Sequence, residues 1–141
     1  MYNEDFKLFN SKDFLSLAKE LDKDNQLACT ENSIKRTIVS RMYYSVFLHA
    51  REWLIDKEKI KEDVVNHNEV ILYFRDEQPL ESFELNKEIT DRLITLKKNR
   101  VHCDYIFDVP TEDDDPDQIW SVFTLEDLFE KADYIFKKLI Y

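Results

Sequence analysis

The chain of 141 residues contains no glycine, although average usage near 7% would supply roughly ten. Glycine takes positive φ in tight turns, lets backbone close on a phosphate and shapes nucleotide-binding strand–helix junctions. Its absence argues against Walker-type and Rossmann-type nucleotide enzymes. Cysteine is scarce as well: Cys29 and Cys103 are too few and too far apart for a metal knuckle or a secreted disulfide framework. The opening Met-Tyr-Asn-Glu-Asp-Phe lacks the basic flank and apolar run of a signal peptide. No apolar stretch approaches the roughly 20 residues of a membrane span. A soluble, cytoplasmic protein with no membrane association is the expectation.

What is present favours helix. The chain is rich in Leu, Ile, Lys, Glu and Phe, and at this length it can bury one continuous core without disulfides or a structural metal. The expected fold class is all-α: one domain over 1–141, an up-and-down bundle of four main helices plus a short extra one. A first helix is predicted from after Ser11 to about Asn25, with Phe14, Leu15, Ala18 and Leu21 on one face. Thr30 or Asn32 offers an N-cap for the second helix. That helix carries Ile34, Ile38, Met42, Ser45, His49 and Trp53 at steps of three and four, widened by Tyr43, Phe47, Ala50 and Leu54. Apolar over so much of its circumference, it belongs at the centre.

A charged connection, Lys57 to Asp63, leads to a shorter helix over about 66–76 with Val70, Ile71 and Phe74 inside. Pro79 ends it, and a further helical pattern starts near Glu81 or Leu85. Leu85, Ile89, Leu93 and Leu96 form a narrow stripe that Arg100 and Cys103 continue, so Arg100 points with the core residues. Residues 108–118 hold two prolines and six acidic side chains and read as a loop. Thr124-Leu-Glu-Asp127 resembles a capping box with Asp in the usual Glu position, opening a last helix through Ala132, Ile135 and Leu139.

The net charge of −10 opposes polyanion binding, since nonspecific nucleic-acid affinity comes largely from phosphate neutralisation. Its distribution is uneven. Residues 1–60 carry ten acidic and ten basic side chains, whereas residues 106–141 carry ten acidic and three basic ones. Lys97, Lys98 and Arg100, with Lys35, Arg36 and Arg41, form either a local basic face or a solvated helix surface that complements helix dipoles. The acidic loop reads as solvated, or as a weak cation site or docking surface for a basic partner. It has neither the glycine nor the spacing of a calcium loop.

Two segments bear on function: Ser40-Arg-Met-Tyr-Tyr-Ser-Val-Phe-Leu-His-Ala-Arg51 and Arg100-Val-His-Cys-Asp-Tyr105. Both set arginine, histidine and tyrosine into apolar helical patterns, where bundle chemistry sits. With His67 opening the short helix between them, they resemble the HEPN family, small helical domains associated with nucleotide and RNA transactions. The resemblance covers about 33–105, and is nearest to prokaryotic members in which a Tyr-Tyr helix precedes an Arg-x-x-x-Asp-Tyr motif. It implies a HEPN-like bundle, a homodimer paired through the motif helices, and an RNA- or nucleotide-associated role in a toxin–antitoxin or defence system. In relatives a tyrosine near the motif, the place Tyr105 takes here, can be a modification target.

Ribonuclease members carry an arginine, a polar residue and, four to six residues on, a histidine. RNA cleavage needs a cation for the phosphorane and a group that moves the 2′-hydroxyl proton. Here Arg100 precedes His102 by two positions, which places the two about 200° apart on a helix. Asp104 stands one turn after Arg100, placed for an i, i+4 ion pair that positions Tyr105, or for a functional polar site of Arg100, Asp104 and Tyr105.

The candidate catalytic residues are Arg41, His49, Arg100 and Asp104, and the candidate ligand-binding residues Tyr44, His67, Lys97 and Tyr105. Arg41, Tyr44, Ser45 and His49 share a broad sector that can meet Arg100 across a helix pair. His49 is alternatively a hydrogen-bonded core histidine, and the two tyrosines packing residues with a hydroxyl partner. His67 either caps its helix or reaches the central polar site. His49, His67 and His102 lack zinc-like spacing, so neither metal nor cofactor is expected, and Cys103 reads as a buried thiol. The leading expectation is a HEPN-type module with or without ribonuclease activity. The alternatives are an adaptor for a partner protein such as a nucleotidyltransferase, and an active metal-independent endoribonuclease using Arg41, His49 and Arg100 across a dimer.

Overall fold

The computed structural model describes residues 10–23, 31–105 and 124–140, and shows five helices with no strand among the described residues. They are α1 (Ser11–Lys23), α2 (Glu31–Asp56), α3 (His67–Asp76), α4 (Phe83–Tyr105) and α5 (Leu125–Lys138). Cys29, the Thr30 cap, the 108–118 loop and the Tyr105 side chain lie outside the described residues. Asn32 is not a cap, because α2 already includes Glu31. α4 begins between the two predicted starts, where the Ser82 hydroxyl accepts from the Leu85 amide at 3.1 Å.

α2 packs against each of the other four helices, as its broad apolar stripe requires. Ile38, Met42, Tyr43, Val46, Ala50 and Leu54 are buried along it and meet Leu15 and Ala18 of α1, Val70 and Phe74 of α3, Ile89, Leu93 and Leu96 of α4, and Leu128 and Ile135 of α5 in one core. Burial of this kind carries the stability: each fully buried Leu- or Phe-sized side chain contributes about 1.5–3 kcal/mol. The result is an all-α bundle of four longer helices with the ten-residue α3 as the short fifth.

Buried polar groups fasten the ends of the helices. His49 Nε2 donates to the Leu139 carbonyl at 2.6 Å and Trp53 Nε1 to the Ile140 carbonyl at 3.1 Å, which hold the end of α5 on α2. Asn86 bonds both backbone groups of Leu80 and the Ser82 carbonyl, closing the turn after Pro79. The capping box at α5 is complete: Thr124 Oγ1 accepts from the Asp127 amide and Asp127 Oδ2 from the Thr124 amide. Arg51 donates to the Val64 and Glu62 carbonyls and so ties the 57–66 connection back to α2.

The missing glycines leave a mark at the end of α2. The Lys59 amide bonds the Leu54 carbonyl at 2.8 Å and the Glu58 amide the Ile55 carbonyl at 3.0 Å. This is the Schellman pattern, whose left-handed position glycine usually fills. Here Glu58 fills it at φ 58°, and Gln78 takes φ 46° after α3.

Candidate functional site

α2 and α4 cross so that Tyr44 and Arg100, 56 positions apart, make direct contact. Arg100 Nη2 donates to the Tyr44 hydroxyl at 2.6 Å, and the guanidinium carbon lies 4.9 Å from the Tyr44 ring centroid. On its own helix Arg100 Nε sits 2.8 Å from Asp104 Oδ2, the i, i+4 pair that the spacing foretold. Asp104 in turn accepts from Ser40 of α2 at 3.4 Å. Arg100 has a side chain only 13% exposed, so its charge is oriented by a carboxylate and a phenol instead of by bulk water.

The first residue of α3 completes the cluster. His67 stacks on Phe47 with ring centroids 3.9 Å apart and planes 4° from parallel, and its Nδ1 shares a 2.6 Å hydrogen bond with the Tyr43 hydroxyl. It is not the helix cap. Asn66 is, through a side chain that accepts from the Glu69 amide, which frees the His67 ring to turn inward.

Burial holds the His67 imidazole below its ordinary range, and the positive charges of Arg100 and then Lys97 act in the same direction. Burial pushes the Tyr43 phenol well above its usual range against the pull of Arg100. Both partners of this hydrogen bond are therefore neutral near pH 7. Lys97, half-buried, donates to Asn68 Oδ1 at 2.6 Å and stands at the edge of the cluster.

The remaining candidates lie elsewhere in the chain. Arg41 is exposed and packs over the Phe14 ring of α1 at 5.4 Å. His49 is buried against Phe136 at the far end of α2, committed to the Leu139 carbonyl. Ser45 donates to the Ser11 carbonyl of α1. Among the described residues the shared sector of α2 is thus divided among three neighbours, with Tyr44 the member that bonds Arg100. Arg36 donates to the Cys103 carbonyl at 2.7 Å, a cation at the C-terminal end of α4. Cys103 is a buried free thiol, pushed up to about 12 by that burial.

His102 lies on another face of α4 from Arg100. It lines a groove of ≈ 420 Å³ between α3 and α4, together with Lys97, Lys98 and Val101. Neither this groove nor the Tyr43–His67 bond stands out in the sequence stripes. The signal was a second apolar line on α4, Ile94 and Val101, offset from the Leu85–Leu96 stripe and flanked by lysines.

The cluster has the chemistry to receive an oxyanion: an oriented guanidinium, a nearby ammonium, and aromatic rings with hydroxyl edges. Among the described residues no group of three or more His, Cys, Asp or Glu side chains is arranged to hold a metal ion. Nor is any helix among them long and apolar enough to cross a membrane. The fold and site thus define an all-helical bundle with an arginine–tyrosine–histidine cluster between its central helix and α4. No family model, curated protein or solved structure matches the chain.

Proposed function

We propose that this chain is a HEPN-type module that binds RNA or a nucleotide at the α2/α4 cluster without cutting it, as part of a toxin–antitoxin or defence system. The observation that carries the reading is the Arg100 guanidinium, held between Asp104 and Tyr44 with His67 and Lys97 beside it. A phosphate approaching Arg100 and Lys97 meets charge that is already oriented, and Tyr44 offers an aromatic edge to an adjoining base. The non-cleaving form is supported by the separation of Arg100 from His102 and by the commitment of His49 to a backbone carbonyl.

Binding of a short single-stranded RNA at low salt, followed by fluorescence anisotropy and by gel for cleavage, tests this. Arg100→Gln is expected to abolish binding, and intact RNA to be recovered from the wild-type protein. Metal-independent cleavage that disappears in Arg100→Ala would overturn the non-cleaving form. Absence of binding in the wild type would overturn the reading altogether.

A second reading, an adaptor for a partner protein such as a nucleotidyltransferase, is favoured by one separate observation, the open groove between α3 and α4.

A further inference from the structure

The α3/α4 groove has walls of a particular kind. From α4 it takes Ile94, Lys97, Lys98, Val101 and His102, and from α3 it takes Asn68, Ile71 and Leu72. Positions 94, 97, 98 and 101 are one face of a helix at i, i+3, i+4 and i+7; positions 68, 71 and 72 repeat the start of that pattern on the neighbour. Two such ridges side by side leave a channel of the shape that a third helix fills. The stretch 94–102 is about 13 Å long at 1.5 Å per residue, which suits an occupant of two to three turns.

The floor is aliphatic. Ile71 is buried, while Leu72, Ile94 and Val101 are half-buried and line the channel. A sugar–phosphate backbone gains nothing from such a floor; an amphipathic helix with apolar anchors at i, i+3, i+4 and i+7 does. The rim selects the sign of the occupant's charge. Lys97, Lys98 and His102 stand along the α4 side, on a chain whose net charge is −10. The excess of acidic side chains is concentrated in residues 106–141, whereas the α4 side of this channel carries Lys97 and Lys98 and so attracts an acidic segment.

We propose that the groove between α3 and α4 is the docking site for a short, acidic, amphipathic helix of a partner protein. It rests on the adaptor reading and not on Arg100. The partner chemistry is the reverse of the basic surface that the acidic residues 108–118 suggest.

The test uses the full chain and two labelled synthetic peptides of roughly 15 residues, a length at which an isolated helix is marginal in water. Both carry leucine at the four anchor positions. One has glutamate and alanine elsewhere, the other lysine and alanine. The acidic peptide is expected to bind and the basic one not. Lys98→Glu, at an exposed position where folding is not at stake, should weaken the acidic peptide about tenfold, and Leu72→Asp should abolish binding while circular dichroism shows the helices intact. Equal binding of the two peptides, or binding unchanged in Lys98→Glu, overturns the proposal. Arg100→Gln separates the two functions: it should leave peptide binding intact while removing RNA binding, and Leu72→Asp should do the opposite.

Discussion

The Tyr43 hydroxyl and His67 Nδ1 lie 2.6 Å apart, and this contact fastens the buried centre of α2 to the first residue of α3. Tyr43 is fully buried, and a phenol left without a partner there would cost about 1–3 kcal/mol. The histidine it meets is opposed in taking up a proton first by burial and then by the charges of Arg100 and Lys97, at the positive end of a helix. The bond is thus one between neutral groups, and it orients the ring that forms one wall of the cluster.

The sign of the pH dependence follows. The folded chain holds His67 below its ordinary value, so near and below about pH 6.5 the unfolded chain binds the proton more readily. The stability owed to neutral His67 is full above about pH 6.5 and is lost as pH falls through the window below it. Urea unfolding at steps from neutral to mildly acidic pH should show this decline, and His67→Gln should flatten it. Superimposable pH profiles for the two proteins would refute the assignment.

Tyr44 and Asp104 hold the Arg100 guanidinium from two sides, so the stability each contributes can be measured separately. Tyr44→Phe removes the acceptor of the Arg100 hydrogen bond and keeps the ring, so it should destabilise by about 1 kcal/mol. Asp104→Asn acts on a partly exposed pair and should cost about 1 kcal/mol or less. If Asp104 and Tyr44 hold one guanidinium jointly, the double variant should depart from additivity by at least about 0.5 kcal/mol. A strictly additive pair would mean that the two act on Arg100 independently.

Much of this arrangement was legible because its signals are local. The apolar stripe of α2, the Arg100–Asp104 pair and the Thr124–Asp127 box each depend on positions three or four apart. Their geometry is set by the helix alone. The division of α2 among its neighbours was not legible in the same way. Tyr44 and His49 are five positions apart, about 7.5 Å along the axis. That is enough for Tyr44 to meet α4 while His49 reaches the carbonyl of Leu139. Arg41 precedes Tyr44 by three positions and faces Phe14 of α1. Which neighbour each residue meets depends on how the helices pack, and a single stripe contains no term for that. The Tyr43–His67 bond crosses a connection held by Arg51 through two backbone carbonyls, a contact that no periodicity encodes.

Cys103 is expected to be silent toward thiol reagents while the protein is folded. Burial holds the thiol at about 12, so at pH 8 almost none of it is the reactive thiolate. In a Cys29→Ser background, labelling with iodoacetamide should be negligible in buffer and complete in denaturant. Rapid labelling of the folded protein would show that the end of α4 opens far more often than its burial suggests.

The glycine-free composition itself makes a prediction at Glu58. That residue closes the Schellman turn after α2 with φ 58°, a conformation that costs a residue bearing Cβ about 1–2 kcal/mol. Its side chain is exposed, so a substitution sacrifices no packing. Glycine removes the backbone penalty, but it also enlarges the conformational freedom of the unfolded chain, which offsets about 0.4–1 kcal/mol. The balance favours the variant: Glu58→Gly should be more stable by about 0.5 kcal/mol, while Glu58→Val, β-branched at the same φ, should be less stable than wild type. Chemical denaturation of the three proteins decides it, because an unchanged slope with a shifted midpoint reports a change in stability alone. If Glu58→Gly were destabilised, the turn would not hold the left-handed geometry in solution, and the anchoring of the 57–66 connection on Arg51 would need another explanation.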